Sequence, residues 1–269
     1  MNFWKRYVSF TIGKREYKAP FVLKFNAEFS MKGRTNTRAD IYNPSDETIE
    51  NVVPRDKKNQ KIIIDAGYEE DHGICIIGEI CTYKVTKAGL ERVLEMTISD
   101  SATTLSNMKI SRTWHQGVKA STVVKDIAMM SNIDPGRIEM ENDKKYSRGL
   151  SLNTTLHNAL NQMKRDTGSE YFLRNGKLYF HPKKDQGIKT GVLLSAATGL
   201  IDRPEILSVT KEGKYVNQGA VKSLFNYRIG AGEHIRIESE NFIGNCKVIK
   251  GNHSFSDDDA YTVMEVVQV

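Results

Sequence analysis

Between residues 24 and 31 apolar and polar positions alternate without a break. Phe25, Ala27, Phe29 and Met31 fall on one side, Lys24, Asn26, Glu28 and Ser30 on the other. A period of two predicts a half-buried strand. It recurs over residues 92–99, where Leu94, Met96 and Ile98 oppose Val93, Glu95, Thr97 and Ser99. The β-branched run at residues 61–66 and the apolar run at 73–80 predict two more strands, joined through Gly67-Tyr68 and the acidic turn Glu69-Glu70-Asp71. Gly78, inside the second run, predicts a bulge or a close approach of another chain segment. Residues 83–85 are extended before a turn at Lys87-Ala88-Gly89. Residues 3–12 and 15–25 alternate loosely about Gly13-Lys14, as a hairpin does. One short helix interrupts these strands, over residues 44–52. Asn43 is its expected cap and Pro44 its first residue, with Asp46, Glu47 and Glu50 near its positive end and Pro54 as its stop. Residues 1–100 therefore predict a small barrel or sandwich around one short helix.

The period then lengthens. After a polar stretch at residues 100–104 and a short strand at 109–115, Val123, Val124, Ile127, Ala128 and Met130 recur at helical spacing behind a Ser121 cap. Asp134-Pro135-Gly136 predicts a stop, with residues 137–140 extended. Asn153 or Thr154 opens a second helix that turns Leu156, Ala159, Leu160 and Met163 to one side and ends at Gly168. Asn175-Gly176, between residues 170–174 and 177–181, is the strongest hairpin signal in the chain. Residues 181–204 are polar and turn-rich, and predict a connection. Strands are expected at 205–210, 219–224, 234–239, 246–250 and 261–267, with turns at Gly230-Ala231-Gly232, Gly244-Asn245 and residues 256–259. The expected fold is α+β, mainly β: two small β-barrel domains, at 1–100 and 186–269, flanking a central α+β module at 101–185.

Three stretches carry a family resemblance. The first is residues 41–52 followed by Ile62-Ile63-Ile64-Asp65-Ala66-Gly67-Tyr68 and residues 73–80. The second joins residues 124–128, Ile133-Asp134-Pro135, Asp166-Thr167-Gly168 and residues 175–180. The third is Gly232 to Ser239 and Gly244 to His253. In this order and spacing they resemble phage tail and baseplate hub proteins of the late-control protein D type, related to the spike-hub proteins of contractile injection systems. The likeness spans residues 20–269. It implies a non-enzymatic virion structural protein, made late in the host bacterial cytoplasm and placed in the tail baseplate or tip. It also implies a homotrimeric ring, six barrels round a channel, joining the six-fold tail tube or its initiator to a trimeric central spike. A tape measure protein is a further implied partner, and DNA enters only as passing cargo. Family members are often longer, so a fused spike or lysozyme is expected on a separate chain.

Composition narrows the alternatives. At 269 residues, 39% hydrophobic and 27% charged, the chain can bury real cores, and two or three domains are expected. No apolar run approaches a membrane span, and no signal peptide is visible. Cys75, Cys81 and Cys246 make an odd count, which argues against a disulfide scaffold and fits a reducing compartment. The net charge of +6 lies in residues 1–40, which hold nine Lys/Arg against three Asp/Glu. A solvated hairpin face explains this excess. Nucleic-acid binding is the sharper alternative.

The residues give no catalytic constellation. Gly176-Lys177 lacks the glycine spacing and the Ser/Thr of a phosphate loop, Gly230-Ala231-Gly232 lacks a third glycine, and no Gly-x-Ser-x-Gly elbow is present. His72, Cys75 and Cys81 are poorly spaced for zinc, and Asp257-Asp258-Asp259 lacks the alternation of a calcium loop. His115, after Trp114, fits packing. No catalytic, cofactor or metal residue is expected, and the interface residues cannot be chosen from the sequence. The second reading of function is a tail-associated cell-wall hydrolase, with the middle module as its catalytic part.

Overall fold

A computed structural model of the chain describes residues 5–31, 35–53, 60–100, 108–182, 188–211 and 214–269. The fold is α+β and mainly β. Residues Asp100–Asp185 form one compact unit, and Met1–Ser99 together with Gln186–Val269 form the other.

In the larger unit the first flank supplies β1 (Arg6–Ile12), β2 (Arg15–Tyr17), β3 (Leu23–Ser30), β4 (Asn36–Tyr42), α1 (Asp46–Val52), β5 (Lys61–Tyr68), β6 (Asp71–Ala88) and β7 (Glu91–Asp100). Their sheet order is β3-β4-β7-β6-β5-β1-β2. Tyr17, at the far end of this order, shares a core with Leu23 and Ile41, so the sheet curls back on itself. Leu23, Phe25 and Ala27 are buried, as are Leu94, Met96 and Ile98, which is the face the alternation predicts. Gly78 is the expected close approach. A methyl there would lie 2.6 Å from both Ile98 Cγ2 and the Ser99 carbonyl oxygen. The register shift of this hairpin falls instead between Ile64 and Asp65, opposite Cys75.

The short helix starts later than its sequence signals suggest. Ser45, not Asn43, caps it, its Oγ accepting from Thr48 N–H at 3.1 Å. Asn43 is left-handed (φ 50°), a conformation asparagine tolerates, and it exchanges hydrogen bonds with the Arg92 backbone instead. Pro44 therefore precedes the helix, and Pro54 lies outside the described residues. Residues 18–22, expected in the second strand of the first hairpin, form a turn before β3.

Later strands of the chain complete the same unit. After β8 to β12 of the middle unit come β13 (Ile188–Leu194), β14 (Leu200–Lys211), β15 (Lys214–Leu224), β16 (Glu233–Glu238), β17 (Ile243–Phe255) and β18 (Ala260–Gln268). β13 falls within the stretch read as a connection. It pairs with β16, whose partner Ile235 and Ile237 rows bury Val192 and Leu194. Gly191, left-handed beside its register shift, hid its period. Gly244-Asn245 pairs with Ile237 and Arg236 inside β17 and makes no turn. At the Val248–Lys250 bulge β17 changes neighbours, from β16 before it to β3 after it. The two flanks thus share one thirteen-stranded sheet while enclosing two cores. Phe225 and Phe255 join the first core, where Phe255 stacks on Phe25 at 5.5 Å.

The middle unit consists of β8 (Lys109–Trp114), α2 (Ala120–Met130), β9 (Asp134–Ile138), β10 (Leu150–Thr155), α3 (Leu156–Thr167), β11 (Ser169–Arg174) and β12 (Lys177–Pro182). The apolar helix positions read from the sequence are buried, except Met130, which is half-buried. The caps differ. Ser121 lies inside α2 and is itself capped: Asp143 accepts its backbone N–H at 2.9 Å and its hydroxyl at 2.8 Å. Thr155, not Asn153 or Thr154, caps α3. Gly168 closes α3 in the left-handed conformation, and Asn175-Gly176 makes the expected hairpin turn. Asp134-Pro135-Gly136 is no stop. It is the start of β9, parallel to β12, with Gly136 close against the Tyr179 ring.

Candidate assembly surfaces

Two features of the larger unit reach beyond the cores, one from each flank. β6 outruns β5, which pairs with it only as far as Glu79. From Cys81 to Val85 every side chain of β6 is exposed, and Leu90, at the tip of the β6–β7 hairpin, is fully exposed at 107%. In the second flank β14 pairs only with β15 among the described residues. Leu207 is 68% exposed and Tyr215 is 85% exposed. Leu207 lies opposite Gln218 and Thr210 opposite Tyr215, so the two apolar groups emerge on opposite faces of the hairpin. A strand edge and both faces of a hairpin left to water are features that folded chains normally cover. The sequence carried a partial signal: an apolar Leu90 directly after the turn glycine, and Tyr83 and Val85 alternating past the end of their core.

Five of the nine basic residues of the amino-terminal arm have partners within the chain. Lys5 pairs with Glu69 at 3.0 Å, Arg15 with Glu47 at 2.8 Å and Lys18 with Glu16 at 2.9 Å. Lys24 sits over the Tyr42 ring at 4.6 Å. The Arg6 guanidinium donates to the backbone carbonyls of Ser256, Asp257 and Asp258. The carbonyls of Asp257 and Asp258 are thus occupied by an arginine, while the three aspartate side chains are exposed.

The imagined zinc ligands are engaged separately. His72 Nδ1 lies 2.8 Å from Asp65 Oδ1, and its ring stacks on Tyr7 at 3.9 Å. Cys75 is buried, its thiol donating to the Ile64 carbonyl, and Cys81 is exposed. Burial pushes the Cys75 thiol well up and that of Cys246 up to about 11, so both act as core fillers. Among the described residues no three His, Cys, Asp or Glu side chains are grouped to hold a metal ion. Trp114 is buried and donates its indole N–H to Asp126 at 2.8 Å, while His115 turns to the Gln116 carbonyl. An open hollow of about 330 Å³ is lined by Gln218, Ala220, Ile249, Glu265 and their neighbours. It holds no facing acid pair or nucleophile.

No protein-family model and no curated sequence matches the chain. Solved structures do. A tail protein from Neisseria meningitidis MC58 is 11% identical, with TM-score 0.68 over 98% of this chain and 97% of that one. The 43 kDa tail protein of prophage MuSo2 from Shewanella oneidensis is 10% identical, with TM-score 0.68 over 98% of each chain. An Escherichia coli component of the type VI secretion system, itself structurally similar to bacteriophage T4 tail proteins gp27 and gp5, is 11% identical, with TM-score 0.65 over 97% of this chain and 76% of that one. At this identity the likeness is one of fold.

Proposed function

We propose that the chain is a structural hub of a phage or phage-like tail, a non-enzymatic baseplate or tip protein of the virion. Three copies form a ring. Each copy presents two barrel-like flanks, so the trimer offers a six-fold-like face to the tail tube or its initiator and a three-fold face to the central spike. A tape measure protein is a further partner, and DNA passes through the channel as cargo.

The observation that carries this reading is the pair of outreaching hairpins. A single chain has two different exposed edges, one per flank, and unlike edges that meet head to tail close a cyclic ring and remove both from water. The likeness to tail proteins over almost the whole chain supports the same reading, as does the order of the sequence motifs. The test is mass measurement in solution together with electron microscopy. A trimer with a central hole is expected, lost when residues 81–90 are replaced by a tight turn. A monomer at high concentration, with and without the spike, overturns the ring.

A further inference from the structure

Asp40 lies in the middle of β4, opposite Lys24 on β3 and opposite Glu95 on β7. Two carboxylates therefore face each other across paired strands, an arrangement that destabilises a sheet while both are charged. Their surroundings are unequal. Glu95 accepts the Thr86 hydroxyl at 2.7 Å and has the Lys84 ammonium at 3.0 Å, both from β6. Asp40 is half-buried and is given no hydrogen-bond donor among the described residues. The charged groups around it are Glu95, Lys24, Arg38 and Lys84. A carboxylate that is desolvated, undonated and beside a second carboxylate prefers its neutral form. Its carboxyl accordingly stands above the usual range, through burial first and Glu95 second. Glu95 is held below its usual range, by the Thr86 hydroxyl first and then Lys84. The pair lies in the middle of the β4–β7 ladder, which runs on through Leu94 and Val93 toward the exposed hairpin.

We propose that Asp40 and Glu95 form a proton-operated latch in the β4–β7 seam that carries the β6–β7 hairpin. With a proton from solvent on Asp40, the β4–β7 seam is closed and the hairpin is held. With Asp40 ionised, the two carboxylates repel, Lys84 is drawn between them, and the seam loosens. The latch is a property of the single chain and goes beyond the ring reading, so either can fail alone.

The signs of the two groups differ. Asp40, raised in the fold, adds stability as the pH falls through its folded value, and that gain is complete below the ordinary aspartate value of 3.8. Glu95, lowered in the fold, contributes stability present above the ordinary glutamate value of 4.5 and lost as the pH falls through its own folded value. The seam is therefore tightest in mild acid.

Hydrogen exchange of the full chain, corrected for intrinsic rates, reads the latch at residues 36–42 and 91–99. In the wild type, protection there should rise severalfold as the pH falls from about 7 to about 4, toward the ordinary aspartate value. Asp40→Asn should be protected at both ends of this range, and Glu95→Gln should show a weaker pH response, since burial still raises the Asp40 carboxyl. A flat wild-type profile, or an Asp40→Asn profile that falls with the wild type, overturns the latch. Carbon-13 titration of the Asp40 carboxyl is the second measurement. A midpoint above ordinary aspartate that drops in Glu95→Gln supports the latch, and equal midpoints in the two proteins overturn it.

Discussion

Arg228 grips Asp71 with both terminal nitrogens, at 2.8 and 2.6 Å. Tyr227 adds its hydroxyl at 3.3 Å, and its ring lies 4.3 Å under the guanidinium. The β5–β6 turn of the first flank is thereby pinned to the loop after β15 of the second. Arg228 holds the Asp71 carboxyl below its usual range, chiefly by hydrogen bonding. The contribution is fully present above the ordinary value of 3.8 and is lost as the pH falls through the lowered folded value. Arg228→Lys and Arg228→Ala should each lose about 1 kcal/mol at neutral pH, a figure discounted for the partial exposure of the pair. In urea denaturation the gap to the wild type should close in strong acid. A gap that persists there would assign the loss to packing.

Two glycines should differ in how badly they accept a methyl. At Gly73 a Cβ would meet the Tyr227 ring at 2.4 Å, and the ring can swing away at the expense of its bond to Asp71. At Gly219 it would lie 1.8 Å from the Glu205 carbonyl oxygen, which is paired backbone. Gly73→Ala should lose about 1 kcal/mol and Gly219→Ala about 3 kcal/mol or more, measured by chemical denaturation. The reverse order would show that the β14–β15 pair yields more easily than a side chain.

Thiol chemistry should separate the cysteines. Cys81 is exposed, while Cys75 and Cys246 are buried with raised thiol values. An aromatic disulfide reagent should label Cys81 alone in the folded single chain, more slowly once a ring covers residues 81–90, and Cys81→Ser should abolish this labelling. The other two should react only after unfolding.

Capping of α2 from a distant loop predicts a local effect. Asp143→Ala removes both acceptors of Ser121 and should cost about 1 kcal/mol, seen as faster amide exchange in the first turn of α2. Ser121→Ala keeps the backbone bond and should cost less.

The features legible in the sequence were those set by near neighbours along the chain. Phe25 and Ala27 alternate because one side of β3 is buried, and Asn175-Gly176 and Gly168 stand at left-handed positions that few residues suit. The helix caps were misplaced because several polar residues precede α1 and α3 and only geometry chooses among them, while Asp143, which serves Ser121, comes after α2 in the chain. β13 was missed because Gly191 breaks its period, and β9 was placed late, at residues 137–140, because Asp-Pro-Gly reads as a stop. The outreaching hairpins were seen only as strands. Sequence shows that Tyr83, Leu90, Leu207 and Tyr215 are apolar, but their exposure depends on which strands end beside them. The Asp40–Glu95 and Asp71–Arg228 pairs depend on strand register and on loops far apart in the chain.

The stacking of Phe25 on Phe255, and the β3–β17 ladder beneath it, constrain how the protein can be made. A ribosome delivers Phe25 long before Phe225, Phe255 and Ala260, yet the first hydrophobic core contains all four. The amino-terminal strands must wait, partly uncovered, until β17 and β18 have emerged, so biogenesis cannot proceed segment by segment from the front. Nascent chains arrested before β17 should therefore be degraded readily or be held by chaperones, even though most strands of the first flank have already been synthesised.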